Sequence, residues 1–196
     1  MTTSPAGAAL PALDEATRPR LPTPGAAATT AVGRANAQAL VQIHDHLRAE
    51  LDQVRRVVAQ VAAGAADPAA ARGLVNRLTV RSNAWQLGAF CAQYCRVLTV
   101  HHAIEDARMF PDVAAAAGAA EGPALTAVLE RLGEEHEVVS AVLVRLDEAL
   151  VAAVADPAAV PGVVERVEHL AAVLLSHLAY EEEQVLGPIA RHSVVV

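Results

Sequence analysis

The sequence predicts an all-α protein, an up-down-up-down four-helix bundle preceded by a flexible N-terminal tail. Three observations point there. Of 196 residues, 54% are hydrophobic but only 3% aromatic. Alanine, the best helix former, is abundant, while sheets lean on aromatic and β-branched side chains. Proline and glycine, finally, stand between four long apolar-periodic stretches, where helices would stop.

Residues 1–34 hold five of the eleven prolines, Pro5, Pro11, Pro19, Pro22 and Pro24, among Thr, Ala and Gly. No apolar period is sustained, so this segment reads as a disordered Pro/Ala-rich tail. The bundle is expected over residues 35–192. Its first helix runs from about Ala35 to Ala63 and ends at GAADP, with a short helical connector over Ala69 to Val75. The second spans about Asn83 to Phe110, stopped by Pro111. The third starts near Pro123, a residue suited to a first helical turn, and lasts to about Ala155. The fourth occupies Ala158 to Val185, with Gly187 and Pro188 as its stop. Helices of this length on short connections pack as antiparallel neighbours.

Composition also narrows function. A formal charge of −7 without a Lys/Arg stripe argues against nucleic acid as a partner. No apolar run reaches the roughly 18–20 residues that span a bilayer, and the N-terminus lacks a basic region followed by a hydrophobic segment. The expectation is a cytoplasmic protein with no membrane partner. Cys91 and Cys95, one helical turn apart, read as small packed hydrophobes rather than a disulfide.

The histidines and acids are sorted by their position relative to each helix's apolar stripe. In the first helix the stripe is Leu40, Ile43, Leu47, Leu51, Val54, Val58 and Val61, and His44 lies nearer its centre than His46. The second helix, with Phe90, Tyr94, Val97 and Ile104, carries His101 and Glu105 inward, while His102 and Asp106 turn about 100° toward the flank. His136 takes a leucine's place among Leu125, Leu129, Leu132, Val139, Leu143 and Leu150. In the fourth helix Val163, Val167, Leu170 and Leu174 lead into His177, and Glu181 follows one turn later on the same face. Counted from one end of an up-down bundle, the four histidines lie about 9 to 13 residues deep. Residues far apart in sequence therefore meet in one layer.

Four buried imidazoles and two carboxylates would be costly to leave unpaired in an apolar core, and a bound cation supplies the partner. Imidazole with carboxylate suits iron, manganese or zinc, and two carboxylates can bridge two metals. The stretches IHDHLRAEL, HHAIEDARMFP, EEHEVVSAVLVRL and SHLAYEEEQVLGP, in this order over about residues 36–190, resemble the hemerythrin-like (HHE cation-binding) family of four-helix bundles. The resemblance implies that His44, His101, Glu105, His136, His177 and Glu181 ligate a non-haem di-iron centre, two iron ions joined by an oxo or hydroxo bridge as well as both carboxylates.

Two departures matter. Oxygen-carrying hemerythrins have a second histidine one turn before the equivalent of His136, where this chain has Leu132; and His177 and Glu181 are four apart rather than five. The loss leaves an open coordination position, and His102 could fill it from the flank or stay outside as a solvated or supporting residue. The open position favours a small ligand, O2, peroxide or NO, with catalase-like or peroxidase-like turnover at the metal centre itself as the enzymatic form. The alternative is a non-catalytic oxygen, nitric oxide or iron sensor or storage module. A metal-free structural bundle is the third reading.

Overall fold

The structure, a computed structural model, describes residues 9–22, 28–64 and 83–196, with backbone alone for 83–93 and 119–120. The connector expected at 69–75 and the side chains of Trp85, Phe90 and Cys91 lie outside the described residues. Four helical segments build an all-α bundle, and no strand occurs among the described residues. Helix α1 is Ala31–Ala62, α2 is Asn83–Ile104, α3 is Phe110–Ala155 and α4 is Val160–His192. Among the described residues no helix is long and apolar enough to cross a membrane.

Helix α1 begins four residues before its expected start because Thr30 caps it, accepting from the Gly33 N–H at 2.8 Å. Between α2 and α3 lies a wide π turn, Glu105–Met109, in which the Phe110 N–H donates to the Glu105 carbonyl. Such a turn takes in one extra residue and splays its carbonyls. Pro111, expected to end the helix, is thereby accommodated, and the helix continues to Gly118. There the chain turns at φ 65° and ψ −168°, a backbone conformation open to glycine and strained for other residues. The reversal is visible in side-chain pairing, since His102 stacks on His136 and Asp106 meets the same ring. Pro123 falls about one turn after the break, where its missing N–H costs little.

Helix α4 also outruns its expected end, continuing past Gly187 and Pro188 to His192. Tertiary contact outweighs the proline here. Ile189 and Ala190 are buried, Gly33 of α1 backs directly onto the Ala190 carbonyl, and Asn36 donates to the carbonyls of Ser193 and Val194.

The segment expected to be a free tail is partly docked. Residues 9–22 run as a strap along α4 and the neighbouring face of α3. His169 donates to the Pro11 carbonyl at 2.6 Å, Tyr180 to that of Pro19 at 2.7 Å, and the Leu21 N–H to Gln184 at 2.7 Å. Proline-rich composition removes helical hydrogen bonds, but it leaves free carbonyls that an adjacent helix can use.

The apolar interior is in two parts. One cluster includes Leu51, Val54, Leu98, Leu146, Leu170 and Leu174; the other includes Leu40, Met109, Val113, Leu125, Leu132, Val185 and Ile189. A polar layer separates them, and every helix contributes to it.

Candidate metal centre

At one shared depth every helix sets buried polar side chains into its apolar stripe. In α1, His44 stands between Leu40 and Leu47; beyond Leu98, α2 and the π turn supply His101, His102 and Glu105 before Met109. Between Leu132 and Val139, α3 supplies Glu135 and His136. Helix α4 supplies His177 and Glu181. His44, His177 and Glu181 are completely buried, and His101, the most exposed of the group, shows 9% of its side chain.

The side chains fall into two groups. His44, His101, Glu105 and Glu181 bring one donor atom each to within 4.8 Å of one another, and so do His102, His136 and His177. Glu105 spans both groups. Its Oε1 lies 3.0 Å from His101 Nε2, while its Oε2 lies 3.5 Å from His136 Nε2. Glu181 Oε2 likewise lies 3.4 Å from His44 Nε2 and 3.9 Å from His177 Nε2.

Three of the rings are oriented from behind by acids. His44 Nδ1 donates to Glu182 at 2.9 Å, His136 Nδ1 to Asp106 at 2.9 Å, and His177 Nδ1 to Glu135 at 3.2 Å. With the proton held at Nδ1, each ring turns the Nε2 lone pair into the layer. What it meets there is decisive for the chemistry. The Nε2 atoms of His44, His101, His102, His136 and His177 and both oxygens of Glu105 and Glu181 are buried, and the protein offers none of them a hydrogen bond. Buried polar groups are rarely left so, and unpaired ones are expensive.

Electrostatics tell the same story. Burial, reinforced by neighbouring imidazoles, lowers His101 to about 3 and pushes His102 down further still. Burial lowers His177 to about 4 although the bond to Glu135 opposes it. Burial raises Glu181 to about 8 and, together with the facing Glu181 charge, lifts Glu105 well above its usual value. Burial thus favours the neutral form of His101, His102 and His177, and Glu105 and Glu181 lack a positive partner to stabilise their charge. A cation answers both conditions, and imidazole with carboxylate is a donor set for a first-row transition metal.

The six residues selected from sequence, His44, His101, Glu105, His136, His177 and Glu181, all converge in this layer. His102 corrects the expectation of a flank position. It is buried, and its ring stacks on His136 at 4.1 Å between centroids. Among the described side chains, the inward face of α2 and the π turn after it is Tyr94, Leu98, His101, His102 and Glu105, whereas Val97 and Ile104, which set the expected stripe, are exposed. A helix flanked by two partners inside a bundle turns two residues per turn inward, so both histidines fit. Sequence reasoning missed the supporting acids Glu135, Asp106 and Glu182, and it placed Asp106 on the flank. Their signal was adjacency: each stands beside a layer residue.

A four-helix bundle with a buried layer of imidazoles and carboxylates from all its helices belongs to the class of helical proteins that hold metal in their interior. A family model for the hemerythrin HHE cation-binding domain matches residues 35–189, and the chain belongs to that metal-binding family. No curated protein and no solved structure matches it.

Proposed function

We propose that the chain holds two iron ions and uses them on a small oxidant or gas, O2, peroxide or NO, with peroxide decomposition as the enzymatic form. The observation that carries this is the convergence of five imidazole nitrogens and four carboxylate oxygens, all buried and none paired by the protein. His102, His136 and His177 would hold one ion and His44 and His101 the other. Glu105 and Glu181, facing both groups, would bridge them. Two such ions would supply redox chemistry for a bound small molecule.

The chain's own residues do the rest. Glu182, Asp106 and Glu135 hold the rings in one tautomer, and the two apolar clusters shield the layer from water on both sides. The His44/His101 side has one nitrogen fewer, and His101 is its most exposed member. A small ligand would therefore approach there, and His102 would supply the nitrogen that Leu132 does not.

Metal analysis of iron-loaded protein with optical spectra before and after peroxide is the test. Two irons per chain, a spectrum that changes with peroxide, and peroxide decay that needs the metal are expected; iron-loaded protein without metal-dependent decay would remove the enzymatic form. The docking of residues 9–22 beside the layer favours a second reading, a sensor that signals through its N-terminal segment. Mild proteolysis with and without iron tests it, since a sensor alters the protection of that segment and identical patterns count against it.

A further inference from the structure

Arg18 lies in the strap, outside the bundle helices, yet its guanidinium reaches the back of the polar layer. Its Nε donates to Glu135 Oε1 at 2.7 Å and its Nη2 to Oε2 at 2.9 Å, a two-pronged grip on one carboxylate. The Oε2 atom is also the one that accepts from His177 Nδ1. Strap, acid and histidine form one line into the metal layer.

We propose that Arg18 is a positioning residue of the metal centre: brought in by the N-terminal strap, it fixes Glu135, and through Glu135 the orientation and tautomer of His177. The inference rests on the metal-centre reading above.

The three supporting acids differ in what they need. Asp106 and Glu182 have side chains 47% and 22% exposed, so water stabilises their charge, and Glu182 also has Arg48 at 2.8 Å. Glu135 is 1% exposed and depends on a cation from the protein. Arg131 does not replace Arg18. Its Nε is 3.5 Å from Oε1, the oxygen turned away from His177, and its other nitrogens serve Glu134 and the Asp14 carbonyl. Arg18 also rests on the Tyr180 ring, 4.6 Å from its centroid, which holds the fork in one plane. The anchors of Pro11, Pro19 and Leu21 are independent of Arg18, so the strap can dock without it.

The test uses full-length, iron-loaded protein and reads iron release to a chelator, with nitrogen NMR of the histidine rings in metal-free protein as a second readout. Arg18→Ala is expected to speed iron release about 10–100-fold, the usual effect of losing an outer partner of a ligand. It should also remove the single Nδ1–H signature of His177. Arg18→Lys should recover part of the retention, because it restores charge without the fork. Glu135→Gln should resemble Arg18→Ala, and the double variant should be no worse than the worse single. Arg20→Ala, which removes a strap contact to the exposed Glu183, should stay within about twofold of wild type. Wild-type retention in Arg18→Ala, additive losses in the double variant, or an equal loss in Arg20→Ala overturns the proposal. Should Arg18→Ala fail to fold, Arg18→Lys and Glu135→Gln decide by the same criteria. Wild-type protein that takes up no iron overturns the metal centre and this inference together, whereas iron-binding wild type with an unaffected Arg18→Ala overturns this inference alone.

Discussion

The substitution Glu181→Gln should stabilise the metal-free bundle and weaken its hold on metal. Glu181 is fully buried and its carboxyl is raised to about 8 from an ordinary 4.5, chiefly by burial. In metal-free protein at pH 7 the folded chain keeps a proton there that the unfolded chain releases. Each pH unit above 4.5 costs the fold about 1.4 kcal/mol, so the penalty at pH 7 is about 3 kcal/mol. Glutamine keeps the shape, needs no proton, and can donate to His44 Nε2, which lies 3.4 Å from Glu181 Oε2. The expected gain is therefore about 3 kcal/mol at pH 7. It should vanish below about pH 4.5, where both states of the wild type are protonated, grow as pH rises, and level off above about 8. Urea unfolding of metal-free wild type and variant across this pH range measures it, and iron release from the loaded proteins should move the opposite way. A variant that is less stable when metal-free, or a difference that ignores pH, would refute the reasoning and mark the layer as a satisfied structural network.

Three further outcomes are expected. His102→Leu should lower iron content from two per chain toward one, while His46→Ala, at a ring 67% exposed, should leave it unchanged; elemental analysis decides, and two tightly held irons in His102→Leu would remove that residue from the centre. Gly33→Ala should destabilise the fold by about 1–3 kcal/mol, because the added methyl would overlap the Ala190 carbonyl where α1 and α4 meet; an unchanged melting temperature would contradict this close approach. Cys95, whose thiol burial and the Asp147 charge raise to about 11, should alkylate about 100-fold more slowly at pH 8 than an ordinary thiol. Peptide-resolved mass spectrometry reads that rate, and rapid labelling would contradict the burial.

Much of the fold was legible because apolar period and helix punctuation are local. The four helices, their antiparallel order and the shared depth of the histidines follow from spacing alone. Proline was the unreliable signal. Pro111 and Pro188 should have ended helices, yet a π turn absorbs the first and packing against α1 carries the chain past the second. Local rules state the cost of a proline, and tertiary contacts decide whether that cost is met elsewhere.

In the candidate site, the sequence alone determined that one inward histidine per helix and two carboxylates one turn beyond would share a layer, since a helix's period fixes which residues lie on one face. Only the tertiary structure decided that His102 joins them, because Val97 and Ile104 are apolar yet face outward, and the inward direction of α2 is set by its neighbours rather than by its own stripe. Only tertiary structure, too, set Glu135 behind His177 and Arg18 behind Glu135. Those contacts span 42 and 117 residues, and no local periodicity encodes which partners a folded chain brings together at such separations.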